Sequence, residues 1–171
     1  SESTPDDDGS APHRPRVLVL GGGFGGVGAA RELKDADVDV MVVDRHNYHT
    51  FQPLLYQVAT DLLDTSACGH PLRDLFHDQP NAIVHEATVG GIDLDRRALR
   101  VRVTGGGDGE TWEPFDQLVI ATGATPSRPR LPGIDADGVH NIHTITDGIA
   151  LREQIDSGAA GHAVVVGAGY I

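Results

Sequence analysis

The fold is decided by residues 17–26, which read Val17-Leu-Val-Leu-Gly-Gly-Gly-Phe-Gly-Gly26. Four consecutive apolar residues followed at once by glycines are typical of a parallel strand that is buried on both faces and ends in a turn. Apolar residues spaced along 24–34 then predict a helix with one buried face. Gly21, Gly23 and Gly26 fit the pattern G-x-G-x-x-G, in which glycines allow a tight turn, close approach of backbone to a pyrophosphate, and close packing of helix on strand.

A second apolar run, residues 38–43, ends at Asp44, 18 residues after Gly26. Strand, glycine turn, helix and strand in this order predict a βαβ unit with a right-handed crossover. A carboxylate at the end of the second strand accepts hydrogen bonds from ribose hydroxyls and disfavours a 2′-phosphate, so this site is not expected to take NADP. The alternative interpretation is a glycine-rich turn that binds nothing.

The rest of the chain continues the α/β pattern. Further strands are predicted at 81–89 and 118–120, and an antiparallel hairpin over 99–115. Helices are predicted near 54–63, 71–77 and 147–155. The predicted fold is a Rossmann-like α/β domain of three layers, with a parallel sheet and a small antiparallel crossover hairpin.

Two later glycine turns indicate a flavoprotein. Strand 118–120 ends in Ala121-Thr-Gly123, small residues that let a bulky cofactor pass over the strand end. Residues 163–166 predict another buried strand, which runs into Gly167 and Gly169. Two nucleotide turns separated by a hairpin form the layout of proteins that hold FAD in one domain and a nicotinamide cofactor in another. We therefore expect a disordered acidic tail at 1–15, an FAD-binding domain at 16–160, and the first strand and glycine turn of a truncated NAD(P)-binding domain at 161–171.

Composition excludes several classes of protein. The 171 residues carry a formal net charge of −12, which argues against nucleic acid as a partner. The single Cys68 cannot form an internal disulfide, so a reducing, cytoplasmic compartment is expected. No stretch approaches the roughly 18–20 apolar residues of a membrane span.

Residues 47–60 read Asn47-Tyr-His-Thr-Phe-Gln-Pro-Leu-Leu-Tyr-Gln-Val-Ala-Thr60, which resembles the signature of type II NADH dehydrogenases. The glycine turn, Asp44 and Ala121-Thr-Gly123 resemble the wider two-dinucleotide-binding flavoprotein superfamily. The resemblance implies an FAD enzyme that takes a hydride from NADH, or NADPH, and passes electrons to a quinone at the membrane face. Residues 126–171 look more like the broader pyridine nucleotide-disulfide reductase group, which leaves the electron acceptor open.

The resemblance also implies roles for individual residues. The pyrophosphate would be surrounded by Gly21, Gly23, Phe24 and Gly26, and the ribose would be held by Asp44. The other residues that it places around the cofactor are Arg45, Thr88 and Val89 near the adenine, Pro53 and Leu54 beside the flavin ring, and Thr122 and Gly123 under the cofactor's middle. Tyr48 and His49 fall inside the signature and are expected to shape the flavin pocket.

Other signals indicate ordinary structure. Cys68 has no partner cysteine and is interpreted as a buried or incidental thiol rather than a catalytic one. His46 with His49, and His140 with His143, have i, i+3 spacing, which offers too few ligands to predict a metal site. No catalytic side chain is assigned, because the redox step belongs to the flavin.

Two alternatives stay open beside the NADH-to-quinone interpretation. The chain could belong to a soluble FAD-dependent NAD(P)H reductase with a disulfide or a redox protein as acceptor. It could also be a truncated, catalytically inactive nucleotide-binding fragment. Peripheral attachment at the cytoplasmic membrane face would require segments absent here, and the chain is compatible with a homodimer.

Overall fold

The computed structural model describes residues 14–105, 109–158 and 161–167. Within these residues the strands are β1 Arg16–Leu20, β2 Asp39–Asp44, β3 Tyr48–Thr50, β4 Gly69–Pro71, β5 Ala82–Asp93, β6 Ala98–Val103, β7 Thr111–Pro114 and β8 Gln117–Ile120. The helices are α1 Phe24–Glu32, α2 Leu55–Ala59, α3 Leu72–Leu75 and α4 Ile145–Asp156. Short 3₁₀ turns lie at Gln52–Leu54 and Thr65–Ala67.

The main sheet has the strand order β7-β6-β5-β2-β1-β8. β1 pairs in parallel with β2 on one side and with β8 on the other, and β2 pairs in parallel with β5. The strands that follow β1 in sequence, β2 and β5, lie on one side of it, and the later strand β8 lies on the other side. Such a reversal opens a crevice at the carboxyl ends of the strands, where α/β proteins bind their ligands.

Side chains alternate between the two faces of the sheet, and a separate hydrophobic core lies on each face. Val17 and Val19 of β1 face α1, where they pack with Ala30. Leu18 points to the opposite face and packs with Leu99, among other residues of the antiparallel strands. The layers are thus helix, parallel sheet and antiparallel hairpin, which confirms the predicted three-layer α/β fold.

β5 belongs to both the parallel sheet and the hairpin. Residues 82–86 pair in parallel with β2, and residues 87–93 pair antiparallel with β6. The register shifts between Val89 and Gly91, where the strand carries two glycines. The strand predicted at 81–89 is therefore too short, because glycines that look like a strand end mark a bulge within a continuing strand.

A small second sheet lies beside the main one. β3 pairs antiparallel with β4, and α2 packs against α4. The helix predicted over 54–63 is shorter than expected, since α2 ends at Ala59 and Asp61 adopts a left-handed conformation with φ 59°. The N–H of Leu62 then donates back to Gln57 O at 2.8 Å, which closes the helix end.

The strand predicted at 163–166 is not formed. Val164, Val165 and Val166 are 85–94% exposed, and no described strand pairs with them. A strand needs a neighbouring strand to accept its hydrogen bonds, and the apolar pattern alone does not supply one. The expected tail falls almost entirely on residues 1–13 and part of the hairpin turn on 106–108, which lie outside the described residues.

Candidate cofactor-binding site

The glycine turn, residues 21–26, connects β1 to α1 at the carboxyl edge of the parallel strands. Gly21 has φ 108°, and a Cβ placed there would collide with the carbonyl oxygen of Ala121. Its N–H donates to Val43 O at 2.8 Å. A Cβ at Gly26 would collide with Gly21 O. Both positions therefore require glycine, for the reasons that the motif implies.

Gly23 caps the N-terminus of α1 and faces open space. A Cβ placed at Gly23 would have no neighbour within 4 Å. No side chain caps the helix, and its first turn carries no acidic residue. The N–H groups of a first helical turn have no intrahelical acceptor, and Val27 is the residue that donates back to Gly23 O, at 2.9 Å. The N-terminus of α1 can therefore bind an anion.

Asp44 holds the glycine turn from the end of β2. Its Oδ2 accepts the N–H of Gly22 at 2.6 Å, and its Oδ1 accepts the N–H of His46 at 2.8 Å. The Asp44 side chain is 21% exposed. A carboxylate offers about four lone pairs, so acceptor capacity is left for a ligand. Asp44 can thus order the turn and still bind ribose hydroxyls.

A cavity of about 1320 Å³ lies over the glycine turn. This volume exceeds the roughly 300–1000 Å³ of a typical small-molecule pocket. Its walls come from the carboxyl ends of β1, β2 and β8, the middle of β5, and the start of α4. The sequence-predicted site residues that line it are Gly21, Gly23, Phe24, Asp44, Arg45, Thr88, Val89, Thr122 and Gly123.

Four predicted site residues lie away from the cavity wall. Gly26 is buried beneath Gly21, where it allows the close contact of turn and helix. Pro53 is exposed, and Leu54 packs on the buried cluster around α2. Gly167 follows the exposed valines and does not line the cavity. One more predicted site residue, Gly169, lies outside the described residues.

The start of α4 forms a cavity wall that sequence reasoning missed. Thr144 Oγ1 accepts the N–H of Asp147 at 3.2 Å, and Asp147 Oδ2 accepts the N–H of Thr144 at 2.7 Å. Burial pulls the pKa of Asp147 upward, but hydrogen bonds from Thr144 and His143 more than offset it, and the pKa lies below its usual value. The spacing Thr-x-x-Asp of this capping box was the available signal. Arg128 and His140 line the same wall.

Tyr48 and His49, both expected at the flavin pocket, occupy different places. Tyr48 lines the cavity and stacks on His46, with ring centroids 5.1 Å apart. His49 is buried and does not line the cavity. Its Nδ1 lies 3.0 Å from Gly22 O, and the edge-on ring of Phe24 is 4.8 Å from its centroid.

Cys68 is fully buried against Leu55 and Val58. Burial raises the pKa of its thiol, because the thiolate would lose its hydration. The structure therefore shows a buried, packed thiol at this position, as interpreted from the sequence.

In the part of the chain formed by residues 14–105, 109–158 and 161–167, no group of three His, Cys, Asp or Glu side chains is placed to hold a metal ion. None of its helices combines the length and the apolar character that crossing a membrane requires.

A Rossmann-like fold, a G-x-G-x-x-G turn, an acidic residue after the second strand and a long cavity across the strand ends define the class of dinucleotide-binding proteins. Comparison with known families makes this specific. The family model of the pyridine nucleotide-disulphide oxidoreductases matches residues 15–171, and the chain belongs to this family.

The regions that align with individual relatives include most of this chain but less than half of each relative. A type II NADH:quinone oxidoreductase of Mycobacterium tuberculosis is 37% identical over 147 residues, which are 84% of this chain and 30% of the relative. The demethylphylloquinone reductase of Synechocystis is 31% identical over 168 residues, 92% of this chain and 41% of the relative. The structure of NDH2 from Plasmodium falciparum in complex with NADH shares the fold, with a TM-score of 0.73 at 18% identity over 89% of this chain and 31% of that one.

Proposed function

We propose that the chain forms the FAD-binding part of an enzyme that oxidises NADH, or NADPH, and reduces a quinone. The observation that carries the proposal is the cavity at the glycine turn, where the N-terminus of α1 and the Asp44 carboxylate line one continuous wall. A dinucleotide needs these two groups together, an anion site for its pyrophosphate and an acceptor for its ribose. The mycobacterial relative is an NADH:quinone oxidoreductase and the cyanobacterial relative a demethylphylloquinone reductase, which supports a quinone as the acceptor.

The residues present fit such a cofactor. Gly23 carries no side chain where a pyrophosphate would approach, and no other atom lies within 4 Å of the position that a Cβ would take there. Gly123, with φ 74° and equally open, does the same at the end of β8. A side chain at either position would project into open space beside the cavity wall, at the expense of the ligand.

Each wall of the cavity has a proposed part in binding. The α1 N-terminus would bind the pyrophosphate, Asp44 would orient the ribose, and Arg45 with Thr88 and Val89 would enclose the adenine. Thr122 and Gly123 would pass under the middle of the ligand. Pro53 and Leu54, which the resemblance puts beside the ring system, lie away from the cavity wall, and the adjacent Gln52 lines the cavity in their place. When bound, the flavin would accept a hydride from the nicotinamide and release electrons to the acceptor.

The proposal extends to the longer protein that the relatives suggest. We propose residues 16–160 as the FAD-binding domain and residues 161–171 as the beginning of an NAD(P)-binding domain. Contact with a membrane surface, a cytoplasmic location and a homodimer stay predictions for that protein. Among acceptors, a disulfide that reacts through Cys68 is disfavoured, because this thiol is buried and its pKa is raised.

The first experiment measures FAD binding to the purified chain. We expect quenching of flavin fluorescence on titration and a shifted visible spectrum. Asp44→Ala should weaken binding at least tenfold, since a charged acceptor is worth about 1.5–3 kcal/mol. Asp95→Ala is the matched control, because Asp95 is an exposed carboxylate in the β5–β6 turn that does not line the cavity. A wild-type chain that binds no FAD would refute the proposal.

A second experiment tests the acceptor. The corresponding full-length protein, loaded with FAD, should oxidise NADH with a soluble quinone analogue faster than with a disulfide dye. The reverse preference would favour the soluble reductase interpretation. Binding of FAD without turnover of either acceptor would favour an inactive nucleotide-binding protein.

A further inference from the structure

Two polar side chains, His49 and Gln79, are buried in the described part of the chain, and both hydrogen-bond backbone at the ends of α1. Gln79 Nε2 donates to Ala30 O, near the helix C-terminus, at 2.8 Å. His49 Nδ1 lies 3.0 Å from Gly22 O, one residue before the N-cap. Burying a polar side chain costs free energy unless a hydrogen bond compensates for it, so both contacts account for the burial of polar groups.

The partner of His49 determines which ring nitrogen carries the proton. A carbonyl oxygen accepts hydrogen bonds and never donates them, so Nδ1 of His49 must be the donor to Gly22 O. The peptide groups on both sides of Gly22 are therefore held. Its N–H donates to Asp44 at 2.6 Å, and its C=O accepts from His49.

Peptide geometry connects this contact to the cavity. The peptide bond between Gly22 and Gly23 is trans, since no cis bond occurs among the described residues. In a trans peptide the C=O and the following N–H point in opposite directions. Because the C=O of Gly22 points at His49, the N–H of Gly23 points away from His49. Gly23 lines the cavity and His49 does not, which places this N–H on the ligand side.

We propose that His49 is a positioning residue for the anion-binding turn. By donating from Nδ1 to Gly22 O, it fixes the 22–23 peptide so that the N–H of Gly23 faces the pyrophosphate of the bound cofactor. The edge-on contact of the His49 and Phe24 rings steadies the next residue of the turn. The inference rests on the proposed function, because it assigns a pyrophosphate to the cavity. His49 acts through the backbone and does not itself contact the ligand.

Two substitutions of His49 separate the effect of its Nδ1 donor from the effect of losing the imidazole ring. His49→Asn keeps an N–H donor on the atom next to Cγ, as Nδ1 is, whereas His49→Gln moves the donor one bond further out. Both remove the ring and its contact with Phe24, so they form a matched pair. We expect FAD binding within about twofold of wild type for Asn and about tenfold weaker for Gln. Equal weakening by both variants, or by neither, would overturn the proposal. Circular dichroism verifies that both variants are folded.

A readout without FAD tests the same contact in the unsubstituted chain. Long-range proton–nitrogen spectra of ¹⁵N-histidine-labelled protein at pH 8 report the tautomer of each ring, and His49 is assigned by its absence from the Gln variant. We expect the Nδ1–H tautomer for His49, and an Nε2–H tautomer would overturn the proposal. If the wild-type chain fails to bind FAD, the proposed function fails, while the tautomer still decides whether His49 holds the turn.

Discussion

Replacing Asp44 by Ala removes a carboxylate that orders the glycine turn before any ligand binds. Two backbone donors lose their acceptor, the N–H of Gly22 at 2.6 Å and the N–H of His46 at 2.8 Å. A hydrogen bond to a charged group contributes about 1.5–3 kcal/mol. Because the Asp44 side chain is 21% exposed, water replaces part of what is lost. We expect the free energy of unfolding of the ligand-free chain to fall by about 2 kcal/mol.

The assay is urea denaturation followed by circular dichroism, without FAD, for wild type, Asp44→Ala and Asp95→Ala. The control removes an equal charge from an exposed turn and should stay within about 0.5 kcal/mol of wild type. Equal unfolding free energies for Asp44→Ala and wild type would refute the reasoning, since Asp44 would then not order the turn. Stability that falls as expected, with unchanged FAD affinity, would confine Asp44 to a structural role.

The remaining predictions concern two glycines, Cys68 and Asp147. Gly21→Ala should abolish cooperative folding, because the added Cβ would collide with the backbone of Ala121. Gly28→Ala lies on α1, where the added Cβ meets nothing within 4 Å, and should raise the free energy of unfolding by about 0.5–1 kcal/mol. Urea denaturation measures both effects. Cys68 should react with a thiol reagent at least about 100-fold more slowly in the native chain than in urea, and equal rates would contradict its burial. Since the native pKa of Asp147 is lowered, its stabilisation is present above the unfolded-state pKa of about 3.9 and is lost as pH falls through the lower native value. The stability advantage of wild type over Asp147→Asn should therefore shrink below pH of about 4, and a pH-independent difference would exclude this mechanism.

The parallel core could be predicted from the sequence because its determinants are local. Val17 to Gly26 contain the strand, the turn and the helix start within ten positions, and each glycine has a backbone reason to be there. Asp44 follows from the same logic, since β2 must end where the turn begins. The prediction of these elements agrees with the structure within one or two residues.

Long-range consequences could not be predicted in the same way. The two glycines after Val89 look like a strand end, and their function as a bulge depends on pairing with β6, which is decided by tertiary structure. The apolar run at 163–166 reads as a buried strand, yet periodicity does not specify a pairing partner. The signature predicts a place for His49 at the flavin pocket, whereas its contact with Gly22 joins residues 27 positions apart in sequence.

β5 joins the parallel sheet and the hairpin as one continuous strand. The first half of β5 pairs with β2 and the second half with β6. A displacement of the hairpin would therefore also strain the pairing of β5 with the parallel sheet. Thr88 and Val89, which line the cavity, lie just after this junction. Amide hydrogen exchange should therefore be slow on both sides of this junction and faster at Gly90, where the bulge interrupts the pairing with β6. The part of the cavity wall that β5 supplies is therefore held by strand pairing to both β2 and β6.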